Sequence, residues 1–130
     1  MNIEAFLLCD ASTDSMGKLN VLGAFDGLNV QNFPFVLTQC SVALRLRLQR
    51  IEQGAHKITI HFIDDDGKFV IPPLDGGFEM NIGGNERSGV ANMIINMQNL
   101  NFERAGEYAL VLAIDGKEIS RLPLQVRRIE

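Results

Sequence analysis

The stretch "FERAGEYALVLAIDGKEISRLPLQV", Phe102 to Val126, decides the fold. Tyr108, Leu110, Leu112 and Ile114 alternate with Ala109, Val111 and Ala113. A period of two sends successive side chains to opposite faces, which is the mark of a strand and not of a helix. Asp115-Gly116 follows, a pair suited to a tight hairpin because both central residues of the favoured turn take positive φ. Leu122, Leu124 and Val126 resume the alternation on the return strand.

The same pattern runs outward to both ends. "CSVALRLRLQR", Cys40 to Arg50, sets Val42, Leu44, Leu46 and Leu48 on one face and Ser41, Ala43, Arg45, Arg47 and Gln49 on the other. That is a half-buried antiparallel strand with a solvated outer face. "KITIHFI" repeats it, with Ile58, Ile60 and Phe62 inward. Earlier strands are predicted over about Ile3–Ala11, Lys18–Phe25 and Leu28–Phe35, the last containing Pro34, which cannot donate to a ladder and marks an edge or a strand end. Short strands are predicted at Phe69–Ile71 and near Phe78–Ile82. "VANMIINMQNLNF" fits a helix face through Val90, Met93, Ile94, Met97 and Leu100, and a strand through Met93, Ile95 and Met97. The asparagines at positions 92, 96, 99 and 101 disfavour a helix interior, so it is read as a strand.

Some eight or nine short strands with frequent turns predict an all-β, antiparallel two-sheet sandwich of about 8–9 strands in a single domain, residues 1–130, with a closed barrel as the alternative. The last strands carry an immunoglobulin-like feature. Phe102, Gly106 and Tyr108 resemble the corner before the penultimate strand of such sandwiches, where a tyrosine hydroxyl bonds to backbone a few residues upstream. A plain core tyrosine at a strand start has the same spacing.

Of the 130 residues, 46% are hydrophobic and 22% charged, ordinary for a globular domain. The net charge of -4 disfavours a phosphate backbone, so no nucleic-acid partner is expected. No apolar run approaches the ~20 residues of a membrane span, and "MNIEAFLLCD" lacks the basic start of a secretory signal. A cytoplasmic location is therefore expected. In a reducing compartment Cys9 and Cys40 are expected as buried free thiols, although sequence does not fix their separation.

Two segments together carry a family resemblance: "AFLLCDASTDSMGKLNVLGAFDGL" and "NFERAGEYALVLAIDGKEI", with "RIEQGAHKITIHFIDDDGK" between them. They resemble a family of short uncharacterised bacterial proteins. The resemblance spans nearly the whole chain and implies a β-sandwich, a domain of unknown function. It brings no catalytic or binding residue with it.

The residues themselves offer few candidates for chemistry. Cys9 beside Asp10 invites a nucleophile reading, but Cys9 alternates with Leu7 and Ala5 as a small buried hydrophobe. Gly17-Lys18 lacks the upstream glycine and the following hydroxyl of a phosphate loop, and "GGNERSG" lacks the lysine. His56 and His61, five apart on one strand, point to opposite faces and cannot share a metal. "DDDG", Asp64 to Gly67, reads as a turn ahead of a weak calcium loop, because Phe62 stands where the first ligand belongs.

Two surfaces are candidates for contact. Arg45, Arg47 and Lys57, with Arg50 nearby, are read first as plain solubilising charge and, as the alternative, as a basic stripe on two neighbouring strands able to dock an acidic partner. "IPPLDGGFEM" and "NIGGNERSG" are expected at one end of the sandwich, with Leu74, Phe78 and Met80 as apolar contacts. The leading expectation is a non-enzymatic module for binding or assembly, working through sheet edges and end loops. It needs no cofactor and contacts a protein partner or a second copy of itself. A small-molecule or carbohydrate-binding sandwich is the first alternative, weakened by the absence of Trp and a single Tyr. An enzyme using Asp10, Asp14 and Asp26 is the second.

Overall fold

The alternation in the central strand translates directly into a core. Val42, Leu44, Leu46 and Leu48 are all 0% exposed and join one cluster with Ile58, Ile60, Phe62, Leu110, Leu112 and Ile114. Burying each such side chain contributes about 1.5–3 kcal/mol. The computed structural model describes all residues, Met1–Glu130. It holds nine strands: β1 (Asn2–Ser15), β2 (Lys18–Ala24), β3 (Gly27–Val30), β4 (Phe35–Gln49), β5 (Gly54–Ile63), β6 (Leu74–Met80), β7 (Ser88–Phe102), β8 (Gly106–Ile114) and β9 (Lys117–Arg128). A single 3₁₀ turn, Arg50–Glu52, joins β4 to β5. The strands form a four-stranded sheet, β2-β1-β4-β7, and a five-stranded sheet, β3-β9-β8-β5-β6, with the core between them.

The all-β, two-sheet expectation holds, with corrections. The five-stranded sheet is mixed and not purely antiparallel, because β3 runs parallel to β9, from Gly27 opposite Gln125 to Val30 opposite Arg128. The chain changes sheets between Ala24 and Gly27, where the Gln125 amide donates to the Asp26 carbonyl at 2.9 Å. A strand delivered by a crossing need not reverse its neighbour, as a hairpin must. The sheets do not form a clear immunoglobulin arrangement, since the four-stranded sheet carries the β1–β2 hairpin on one side and ends at β7 on the other. β3 stops at Val30, so Pro34 lies between strands. Phe69 makes only an isolated bridge to Ile63, and the next strand is Leu74–Met80, not Phe78–Ile82. The ambiguous "VANMIINMQNLNF" is indeed strand, inside β7.

The polar stretch after Cys9 is a hairpin. β1 pairs with β4 as far as Cys9 opposite Ser41, and beyond that with β2 alone. The turn is only Met16 and Gly17, with φ of 53° and 77°, the backbone that a two-residue hairpin turn requires. The hairpin lies over the outer face of the four-stranded sheet. Ser12 Oγ and Ser41 Oγ are 2.5 Å apart, and the Gly17 carbonyl accepts from Asn92 Nδ2 at 3.1 Å. That cover explains why outward-facing Cys9, Ser41 and Ala43 are buried. At the fold-over, Gly23 takes φ 69°, and a Cβ there would stand 2.4 Å from Asp10 Oδ2.

Candidate functional site

Tyr108 begins the site. Its hydroxyl donates to the Arg104 carbonyl at 2.6 Å, the corner anticipated from its spacing. The ring meets Phe102 edge-on at 5.0 Å, and Phe102 meets Phe62 at 5.9 Å. Burial pushes the phenol's pKa up, so it stays a donor at neutral pH. The corner thus fixes the backbone of Arg104 against the core.

From there the Arg104 side chain reaches the turn after β5. Nη2 lies 2.7 Å from Asp65, 3.0 Å from Asp66 and 3.6 Å from Asp64. The Arg104 hydrogen bond holds the Asp65 carboxyl below its ordinary value. Asp64 serves its own turn: Oδ1 accepts from the Asp66 and Lys68 amides, both at 2.9 Å. Oxygens of the three aspartates fall within 4.8 Å of one another, and the guanidinium supplies the offsetting charge.

A groove of about 920 Å³ opens beside this turn, at one end of the five-stranded sheet. Ile63, Ala109, Pro123 and Leu124 give it an apolar floor. Asp26, Asp64, Asp65, Asp66 and Glu107 stand along it, against a single cation, Arg121. Arg121 is itself engaged by Glu118 at 3.2 Å. The arrangement offers apolar contact within a negative field and holds no paired acid and base at bonding distance.

The residues predicted from sequence fall elsewhere. Arg45 and Arg47 do lie together on the outer face of β4, but Glu4 binds both, at 2.8 and 2.5 Å. Arg45 also donates to Asn92 at 3.0 Å and Arg47 to Ser88 at 2.9 Å. Arg47 and then Arg45 hold the Glu4 carboxyl below its usual range. Lys57 belongs to β5 in the other sheet, so the predicted basic stripe is not assembled. The error was to take strands adjacent in sequence as adjacent in a sheet.

Leu74 opens β6 and Phe78 lies near its end. The loops before and after β6 are therefore separated by the length of that strand and do not share one end as expected. Phe78 stacks on His56 at 5.3 Å. Asp10 packs against Gly23, Asp14 lies 3.4 Å from Asn92, and Asp26 lines the groove; none of these three carboxylates shares a hydrogen bond with another.

His56 Nδ1 sits 2.6 Å from Asp115 Oδ2, and Nε2 2.5 Å from the Glu52 carbonyl. The carbonyl first, then the carboxylate, raise its pKa. His61 faces outward and meets Phe69 edge-on at 5.1 Å. Both cysteines are free and buried, and burial pushes the Cys40 thiol up to about 11.

Sequence reasoning took Asp64–Asp66 for a turn and gave Arg104 no role. The Tyr108 corner places Arg104 beside the start of β8, but nothing local in the sequence brings it to the turn after β5.

Residues 4–127 match the profile of a family of unknown function, DUF6941. The chain belongs to this family. No curated protein matches it. Among solved structures it is similar to a Pseudomonas fluorescens alkylpurine DNA glycosylase, AlkC, bound to DNA containing an abasic site analog. The identity is 7% and the TM-score 0.49, with 96% of this chain and 30% of that chain covered.

Proposed function

We propose that the chain is a non-catalytic binding module whose end-loop groove receives a cationic segment of a protein partner. The observation that carries this is the groove's composition: five carboxylates along an apolar floor, with Arg121 the one cation in the lining and Arg104 beside it offsetting Asp64–Asp66 only in part. Such a surface attracts Lys or Arg side chains, buries their aliphatic stems and repels phosphate. Asp10, Asp14 and Asp26 meet different neighbours, Gly23, Asn92 and the groove, which supports a binding role over an acidic active site. A cytoplasmic setting is part of the proposal, supported by the two buried thiols left unpaired.

We also infer that the two sheets are an immunoglobulin-like variant. That reading is supported by the Tyr108 corner and by the order β9-β8-β5, which parallels the last, penultimate and third strands of such domains, with β6 added beyond.

The test is titration calorimetry of the protein with a Lys/Arg-rich peptide and with a Glu-rich peptide of the same length, at low and high salt. The basic peptide is expected to bind, more weakly as salt rises. Asp26→Asn with Glu107→Gln is expected to weaken it by about three- to tenfold, the range of two exposed ion pairs. Equal binding of both peptides, or affinity untouched by the double substitution, overturns the reading.

A further inference from the structure

The four sheet edges differ sharply. β3 is four residues long. β6 is seven long and contains Asp75, Glu79, Gly76 and Gly77. β2 is also seven long, starts at Lys18 and is broken by the left-handed Gly23. Short length, charge and glycine are the usual protections of an open edge. β7 carries only one glycine near its start and one left-handed residue, Asn99, near its end. It runs for 15 residues, pairs only with β4, and contains no Asp, Glu, Lys, Arg or Pro. No backbone hydrogen bond outside the β4 ladder reaches Ser88–Phe102. Ala91, Met93 and Ile95, on the core side of β7, pack against the core yet stay half-exposed at its rim.

The order of residues along β7 says what fits there. Antiparallel strands related by a two-fold axis through Ile94 would place Asn92 opposite Asn96, Met93 opposite Ile95, Ala91 opposite Met97 and Val90 opposite Gln98. Asn92 then faces Asn96, apolar groups face apolar groups on the core side, and Ile94 faces its own copy, with Val90 against Gln98 the one unlike pair. Shifting the axis by one residue to Met93 or Ile95 sets Ile94 opposite an asparagine in either case. Directly opposed side chains are the unit of sheet pairing, so the register centred on Ile94 is favoured over either neighbouring one, and an axis on Asn92 would centre on an amide already bonded to Arg45 and Gly17 of its own chain. The left-handed φ of 54° at Asn99 ends the regular run just beyond that window.

We infer that β7 is a self-association edge, and that a second copy of this chain docks there antiparallel about Ile94, joining two four-stranded sheets into one of eight strands. The symmetry is that of an isologous dimer, each copy giving the same patch. The inference stands independently of the groove, which belongs to the other sheet.

The test is light scattering coupled to gel filtration on the full chain, with Ile94→Lys and Ile94→Cys. The native chain is expected at twice its 14.4 kDa mass. Ile94→Lys sets two like charges face to face on the axis and is expected to halve that mass. Ile94→Cys is expected to cross-link to itself under mild oxidation, since directly opposed Cβ atoms stand about 4.5–5.5 Å apart. A Val36→Cys control, exposed on β4, is expected not to. A monomeric native chain, or an Ile94→Cys chain that cross-links no better than the control, overturns the inference. The cysteine variant decides if the lysine variant unfolds.

Discussion

Replacing Tyr108 by Phe removes one hydroxyl and leaves the ring on Phe102. The ring's edge-on contact at 5.0 Å and its place among Phe62, Leu110 and Leu124 are kept, so no cavity term enters. What is lost is the 2.6 Å bond to the Arg104 carbonyl, in a side chain only 6% exposed. A neutral hydrogen bond contributes about 0.5–1.5 kcal/mol net, and an acceptor left without its partner in a part-buried position adds toward the upper end. The expected loss is therefore about 1.5 kcal/mol. For a chain of 130 residues this lowers the melting temperature by about 5 °C. Urea unfolding is the assay, read as a lower midpoint with an unchanged slope, because the exposed surface does not change. The same substitution is expected to loosen the turn at Asp64–Asp66, seen as faster amide exchange at Asp66 and Lys68, whose amides bond Asp64. A loss below about 0.3 kcal/mol, within the scatter of ordinary surface changes, refutes the view that this hydroxyl fixes the corner.

Two further outcomes follow from the geometry. His56 has a raised pKa in the folded state, so its contribution is complete below the ordinary 6.5 and is lost as pH rises through the folded value. Asp115, lowered from 3.8 by the Lys57 amide and then by His56, contributes above that value and loses its contribution as pH falls through the folded one. The melting-temperature gap between the native chain and His56→Gln is expected to be widest below the ordinary 6.5 and to narrow as pH rises through the raised folded value; a gap that widens with rising pH contradicts the pairing. Gly23→Ala is expected to cost about 1–2 kcal/mol from its left-handed backbone alone, with Asp10 displaced besides. Gly84→Ala, which meets open space, is the comparison: equal denaturation midpoints for the two variants would remove the argument for a forced bend.

How much was legible in the sequence depends on how far apart the interacting residues lie. Val42, Leu44, Leu46 and Leu48 declared their face by alternation, since the pleat ties side-chain direction to position parity. The Asp115-Gly116 turn and the Tyr108 corner were equally local, and both stand in the structure. By itself, then, the sequence determined the strand character, the inward faces and the family likeness. Only the tertiary structure decided that β4 and β5 belong to different sheets, which removed Lys57 from Arg45 and Arg47. It likewise decided that β3 lies parallel to β9, that the first hairpin folds over the outer sheet face, and that Arg104 meets three aspartates some forty residues earlier in the chain. Local periodicity fixes which way a side chain points. It carries no record of which strand lies alongside, because pairing is chosen by the competition of all exposed edges and apolar faces for one another.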